Sequence, residues 1–276
     1  MKASSPQFDF GQNWLEFSRV ALTPARIAAA DREFARLHKD VPLDGRSFLE
    51  IGFGQGLSLL FAQQKGARVV GCDINPKCAE ALAITRRHFP ALPIEPPLVV
   101  GSILKSDVVF RLRTISPSGD GLYDIVHSWG VLHHTGDMAT AFVHAAGLVR
   151  PSGHLVVAIY NRHWSSRPWL LIKWLYVHSP GFLRRAMVGL LYPVIYAAKW
   201  LVTRRNPSEQ QRGMDFFHNV VDWVGGYPYE YASIGEMTAR LAPLGFILIK
   251  AVPAEVPTGC NEFIFRLTGD APARKP

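Results

Sequence analysis

The sequence predicts an α/β protein: a seven-stranded, mostly parallel sheet with helices on both faces, a terminal antiparallel hairpin and a helical insert between strands 5 and 6. Three observations predict it. Residues 47–73, SFLEIGFGQGLSLLFAQQKGARVVGCD, read as strand, glycine turn, helix, strand and acidic stop, which is a βαβ unit. Further short apolar runs at 98–100, 123–129 and 154–160 alternate with helical stretches, the order that builds a parallel sheet. Late in the chain, 246–252 and 262–267 alternate as strands with Gly259 between them, which suits a closing antiparallel pair.

Each element has a local reason. Residues 8–14, FDFGQNW, are aromatic and turn-rich, and Thr23 starts a helix over 25–38 with Pro24 at its first position. The segment 1–44 reads either as a helix packed on the sheet edge or as a lid over the glycine turn, and the two are compatible. The first strand, 48–51, stops at Gly52. Gly52, Gly54 and Gly56 let the backbone turn sharply and leave room for a ligand against it. The helix over 57–64 points its free N–H groups back at that ligand. Gly66 ends this helix, and 68–71 leads to Asp73. An acidic residue about 20 positions past the glycines takes both ribose hydroxyls as donors in a βαβ unit. The pattern therefore predicts a nucleoside-bearing ligand.

A helix follows from Asn75-Pro76 to about residue 88, then a proline-rich loop and the strand 98–100, ending at Gly101-Ser102-Ile103. The fourth strand, 123–129, leads into GVLHHTGD and a helix over 138–149. Residues 150–153, RPSG, form the turn before strand five. Ala232-Ser233 caps a helix running to residue 241.

The glycine register separates two ligand classes. A dinucleotide site wants G-x-G-x-x-G, so that the third glycine lets the helix pack under a pyrophosphate. Here the register is G-F-G-Q-G-L, with Leu57 at the packing position. Glu50 adds a carboxylate at the strand end, which repels a pyrophosphate and attracts an ammonium. E-x-G-x-G-x-G resembles motif I of the class I S-adenosylmethionine-dependent methyltransferases. YDIVHSWGVLHHTGD resembles the segment after motif II in the superfamily that includes the ubiquinone-biosynthesis methyltransferases, and RPSG resembles that family's L-x-P-G-G.

The resemblance covers residues 45–161 and 232–270 and implies a Rossmann-like core with S-adenosyl-L-methionine as cofactor. It implies that Glu50 holds the methionine amino group, Gly52, Phe53, Gly54 and Gly56 the tail, and Asp73 with Ile74 the ribose. Ser102, Ile103, Ser128 and Trp129 complete the expected cofactor contacts. Ser102 departs from the family, which commonly has an Asp there to accept the adenine amino group; a hydroxyl or a backbone carbonyl can accept that bond too.

Hydrophobic content of 48% with 19% charged residues marks a globular chain. Cys72, Cys78 and Cys260 show neither metal spacing nor even pairing, so no metal site and a reduced, cytoplasmic chain are expected. The first residues carry no apolar signal segment. Basicity is local. Between Tyr160 and Arg212 nine Lys and Arg face one acid, Glu209, so this stretch carries the +8 of the whole chain.

The insert, 162–231, holds apolar stretches at 169–177 and 186–202. The second is 17 residues long and contains Pro193 and Lys199, short of the ~20 apolar residues of a bilayer span. Arg pairs and Trp164, Trp169, Trp174 and Trp200 flank these stretches. They read either as a helical cap buried on the core or as an interfacial helix pair in peripheral contact with the inner membrane face. The block GMxxxHxxVDWxGGYPYE, opening at Gly213-Met214, resembles a subset of bacterial methyltransferases associated with surface-saccharide and secondary-metabolite pathways.

Methyl transfer from a sulfonium is an in-line displacement in which the protein aligns the acceptor and excludes water. An alcohol or phenol acceptor also needs a base. Candidates are His133 and His134 after strand four, and His218, four residues before Asp222. Each also has a bland reading: one histidine of the pair packs or caps a helix, and His218 and Asp222 tie the cap to the body. Trp14, Asp222, Tyr227 and Glu230 are candidate acceptor contacts. The expectation is O-methylation of a small or lipid-linked acceptor: a saccharide, a quinone precursor or a natural product. Nucleic-acid methylation finds no support beyond a pI of 9.6: no Asn/Asp-Pro-Pro-aromatic box and no cysteine close strand four. A non-catalytic scaffold is the remaining alternative.

Overall fold

The computed structural model describes residues 7–92, 94–208 and 215–269. Glu209 and Arg212 of the basic stretch, and Gly213-Met214 at the head of the block that follows, lie outside the described residues. The chain opens with α1 (Phe10–Val20) and α2 (Pro24–Leu37), then β1 (Ser47–Ile51), α3 (Leu57–Gln64), β2 (Arg68–Asp73), α4 (Lys77–Arg86), β3 (Leu98–Val100) and α5 (Ser106–Thr114). It continues through β4 (Tyr123–Trp129), a 3₁₀ turn at Leu132–His134, α6 (Met138–Gly147) and β5 (Val149–Tyr160). Helices α7 (Ser166–His178), α8 (Gly181–Thr203) and α9 (Phe216–Gly225) make the insert. Then α10 (Ile234–Leu241), β6 (Phe246–Val252) and β7 (Cys260–Leu267) close the fold.

The sheet runs β3-β2-β1-β4-β5-β7-β6, with β7 antiparallel to both neighbours and every other pair parallel. This is the expected Rossmann-like seven-stranded sheet. Its strands are apolar on both sides because each face carries its own core. One packs α5, α6 and α10 through residues such as Leu112, Phe142 and Met237. The other packs α2 and α3 through Phe34, Leu59 and Phe61.

Three local readings change. Residues 10–20 form a helix although 8–14 is turn-rich in composition, and the Asp9 carboxylate caps it by accepting the Gln12 N–H. The turn at 150–153 lies inside a strand: Tyr123 opposes Val149 and Ile125 opposes His154, so the intervening residues loop out as a bulge. Helix α8 is 23 residues long rather than 17, and by length and composition alone it is long and apolar enough to cross a membrane.

A polar lock fixes the amino ends of the central strands. The Asp124 carboxylate accepts both the N–H and the hydroxyl of buried Ser47, at 2.8 and 2.7 Å, and the Asp124 N–H donates back to that hydroxyl. Arg150 donates to the same carboxylate at 3.0 Å. Burial alone would raise this carboxyl, but the Ser47 donors and Arg150 hold it below the ordinary range. At the other edge, α1 bridges core and insert: Asp9 pairs with Lys77 of α4, and the Asn13 amide donates to Asp222 of α9 at 2.6 Å.

Replacing Asp124 by Ala strands two buried donors and is expected to cost about 2–4 kcal/mol in urea unfolding at pH 7. A carboxyl with a lowered folded pKa stabilises above its unfolded value of about 3.9 and loses that contribution as pH falls through the folded value. The difference between Asp124→Ala and the unaltered chain should therefore shrink below about pH 4.

Candidate functional site

Strands β1 and β4 are neighbours whose outgoing helices go to opposite faces: α3 joins one core and α6 the other. Their carboxyl ends therefore diverge into a crevice, the place where open α/β sheets hold ligands. The crevice is the head of a cavity of about 1410 Å³ that runs under α1 and on to α8 and α9. An ordinary small-molecule site occupies roughly 300–1,000 Å³, so this one exceeds what a single such ligand needs.

The glycine turn forms the floor. Gly54 has φ +53°, and a Cβ there would meet the Trp14 indole nitrogen at 2.9 Å; α1 thus lies directly over the turn. Gly56 has φ +81° and faces away, where a Cβ would strike Leu82 of α4 at 2.2 Å. It serves packing and does not line the cavity. Gly52, Phe53, Gly54 and Trp14 do.

Two buried acids flank the turn. Asp73 accepts the Gly54 N–H at 3.1 Å and the Asn75 N–H at 2.9 Å, and burial raises its carboxyl. Glu50 is fully buried; its Oε1 is 3.3 Å from His127 Nδ1, and its Oε2 has no hydrogen-bond partner. Burial first, and then the negative charge of Asp73, push the Glu50 carboxyl well above its ordinary value. A buried acceptor with a free oxygen on a cavity wall is a seat for an ammonium. Arg36, held by Glu262 at 2.7 Å, brings a cation to the same cavity. Ile74, Ser102, Ile103 and Trp129 also line it, the Ser102 hydroxyl accepting from Leu104 N and Trp129 Nε1 donating to Glu262. Ser128 does not: it is wholly buried, and its hydroxyl donates to the Ile51 carbonyl.

The candidate bases separate cleanly. His134 lines the cavity; its Nδ1 donates to the Pro228 carbonyl at 2.6 Å, which leaves the lone pair of the neutral ring on Nε2. Burial, and then the charge of Lys173, hold its pKa down at about 3, so it is neutral at physiological pH. His133 is fully buried and does not line the cavity; its ring lies 4.2 Å from that of Tyr160, tilted by 46°, and neither ring nitrogen has a partner. His218 is also off the cavity, and its ring pairs with Asp215 rather than with Asp222. Asp222 does line the cavity. Burial pushes its carboxyl up to about 7, against the Asn13 amide and the charge of Lys173.

Gly226 packs between the main chain of Asp222 and the His134 ring: a Cβ there would lie 2.7 Å from the Asp222 main-chain carbonyl oxygen and 2.9 Å from His134 Cε1. The other expected acceptor contacts are structural. Glu230 accepts the Met138 N–H at the start of α6, and Tyr227 packs in the insert and accepts the Phe8 N–H. Sequence reasoning missed Lys173. It is fully buried, donates to the Trp223 carbonyl and lies over the rings of Tyr160, Trp223 and Tyr229. Burial lowers it to about 7, against the charge of Asp222. A single cation inside an apolar run was the available signal.

A parallel sheet with this strand order, a glycine turn and two ligand-facing acids defines a nucleoside-binding α/β enzyme fold. A family model described as a methyltransferase domain matches residues 24–188. The chain belongs to that family, and is a class I S-adenosylmethionine-dependent methyltransferase with S-adenosylmethionine as its cofactor. It is 31% identical over 124 residues to a ubiquinone biosynthesis O-methyltransferase of Alkalilimnicola ehrlichii, covering 44% of each chain. It is 25% identical to the enzyme of the same description from Cronobacter sakazakii, covering 62% of this chain and 70% of that one. The chain thus spans about half the length of several curated relatives it matches. Among solved structures, the magnesium protoporphyrin IX methyltransferase of Synechocystis PCC 6803 with bound S-adenosylhomocysteine shares the fold. Its TM-score is 0.54 at 15% identity, over 88% of this chain and 83% of that one.

Glu50→Gln separates binding from stability. A carboxyl whose folded pKa lies above its unfolded value costs stability once pH exceeds the unfolded value of about 4.3. The variant should therefore unfold at a higher temperature at pH 7, while calorimetry shows S-adenosylmethionine affinity falling about 10–100-fold, the worth of a hydrogen bond to a charged group.

Proposed function

We propose that this methyltransferase methylates an oxygen, a phenol or alcohol, on a largely apolar acceptor that is small or carries a lipid tail. The observation that carries this reading is that His134 and Asp222 both line a mostly apolar cavity beyond the glycine turn. The names of the curated relatives, ubiquinone biosynthesis O-methyltransferases, support oxygen as the atom and a ring-bearing apolar molecule as the class.

In this reading Glu50 takes the ammonium of the cofactor's methionine tail on its free oxygen, and the turn at Gly52 to Gly54 leaves room for the tail. Asp73 takes the ribose hydroxyls, with Ile74 beside it. Ser102 and Ile103 bound the base, and Trp129 closes the strand-four side. The cofactor supplies a methyl group activated on a sulfonium. The residues do the rest: Trp14 and α1 exclude water, and Asp222 accepts the acceptor's proton. A base is best matched when its pKa lies near the working pH, and Asp222 is pushed up to about 7. Neutral His134 offers its Nε2 lone pair to the same hydroxyl and orients it. Residues 1–44 then work as a lid and 162–231 as a cap. Free thiols at Cys72, Cys78 and Cys260 favour a cytoplasmic site of action.

The test is formation of S-adenosylhomocysteine with catechol and prenylated hydroxyquinol acceptors. Turnover should rise with pH and level off above about 7, because only the Asp222 carboxylate can take the proton. Asp222→Asn should lower kcat by roughly 10²–10⁴-fold and flatten that rise, with cofactor affinity near normal. An unchanged pH profile would remove Asp222 from the chemistry, and activity confined to amine acceptors would sink the oxygen assignment.

A further inference from the structure

Helix α8 leaves most of its surface uncovered. Only Val188 of its 23 residues is buried. One side packs on the insert through Met187, Leu191, Tyr192 and Ile195. On another face Leu183, Leu190, Val194 and Leu201 recur at the intervals of a straight helical stripe, and all four are exposed, Leu190 by 74%. Helix α7 carries a second outward stripe, Leu171, Trp174 and Leu175. Of the 22 large apolar side chains exposed among the described residues, 13 lie between Trp164 and Phe217. Scattered exposed apolar residues need no explanation, but a continuous apolar surface of this kind marks an interaction site.

Charge names the occupant. Residues 160–208 contain eight Lys and Arg and no Asp or Glu. Arg167 and Arg185 are exposed without a partner among the described residues, and Arg204 is exposed over the Trp200 ring at 5.8 Å. Apolar stripes bounded by Trp and by cations, with no acid among them, match a bilayer surface of anionic lipid, where rings sit at headgroup level and Arg meets phosphate. A protein partner of ordinary mixed charge would not require the exclusion of every acid.

Topology decides between lying on the bilayer and crossing it. Helix α7 has 13 residues, about 20 Å at 1.5 Å each, against a hydrocarbon core of about 30 Å. Both ends of the α7–α8 hairpin return to one body: α7 follows β5, and Pro207, just past α8, is buried and lines the same cavity. A span by α8 alone would put those ends on opposite sides.

We infer that the α7–α8 hairpin docks the protein on an anionic lipid bilayer, with α8 lying in the interface. The end of α8 adjoins the cavity: Val202, next to Leu201 of the stripe, is exposed and lines it with Arg205 and Asn206. Docking therefore sets this end of the cavity against the lipid, and, resting on the acceptor proposed above, lets a lipid-tailed acceptor enter without crossing water.

The experiment is co-sedimentation of the full chain with vesicles of phosphatidylcholine alone and of phosphatidylcholine mixed with phosphatidylglycerol. The expected result is binding to the mixed vesicles only, weakened by salt. The double variant Leu190→Glu/Val194→Glu, which replaces no cavity-lining residue, should bind at least tenfold more weakly and bind S-adenosylhomocysteine normally by calorimetry. Equal binding by the variant, or no binding by either protein, overturns the inference. Binding that resists alkaline carbonate overturns the interfacial placement. A lipid-free dimer that the variant dissolves, with no vesicle binding, assigns the face to a second copy of the chain instead. None of these readouts depends on turnover, so docking can fail while the methylation reading stands, and the reverse.

Discussion

Two carboxylates, Glu50 and Asp73, sit buried at the carboxyl ends of adjacent parallel strands, and neither has a Lys or Arg ion pair among the described residues. Burying one unpaired acid is costly and burying two side by side is costlier, which is why both are pushed toward protonation. A fold keeps such a defect where a ligand repairs it. Asp73 is half repaired by the backbone N–H groups of Gly54 and Asn75, which hold the turn in shape. Glu50 keeps one oxygen free. The glycines follow from the same constraint, since the backbone must approach these acids closely and α1 must cover them. The Asp9–Lys77 pair between α1 and α4 is exposed and contributes little, so α1 is held over the turn mainly by its buried Leu15 and Phe17 and by the Asn13 bonds to α9.

The sheet was legible because its determinants are local. Short apolar runs ending at glycine are strands, Ser233 is a helix cap with Glu236 completing its box, and the glycine register ruled out a pyrophosphate site. The failures share a cause as well. Residues 8–14 read as turn-rich because the cap that starts the helix at Phe10 is a single Asp; residues 150–153 read as turn because a bulge and a turn have the same composition.

The site was legible by neighbourhood and not by direction. His133 and His134 are adjacent and both approach the Tyr160 ring, yet only His134 lines the cavity while His133 is buried behind it. The i, i+4 spacing of His218 and Asp222 correctly put both on one helix, but their partners are Asp215 and Asn13. The second of these is 209 residues away and invisible to any local pattern. Ser128 lies at the expected strand end with its hydroxyl turned into the sheet. Lys173 was hidden by its surroundings, since an apolar run with one cation reads as amphipathic until the cage of Tyr160, Trp223 and Tyr229 is seen around it.

The insert shows what apolarity alone leaves undecided. A 17-residue apolar window reads equally as a buried cap or as a surface helix, and α8 is both, on different sides. Its inner side contributes Ile195, Ala198 and Val202 to the cavity wall, while Leu183, Leu190, Val194 and Leu201 face outward. A helix packed on both sides would be a core element, and one bare on both would not hold its place. Packed on one side, α8 is fixed by α9 and still available outward. Helix α9 carries Asp222 and Trp223 to the cavity and is tied to α1 through Asn13. Direct packing therefore runs from α8 to α9 and its Asp222, and through Asn13 of α1 to the Trp14 ring over the glycine turn.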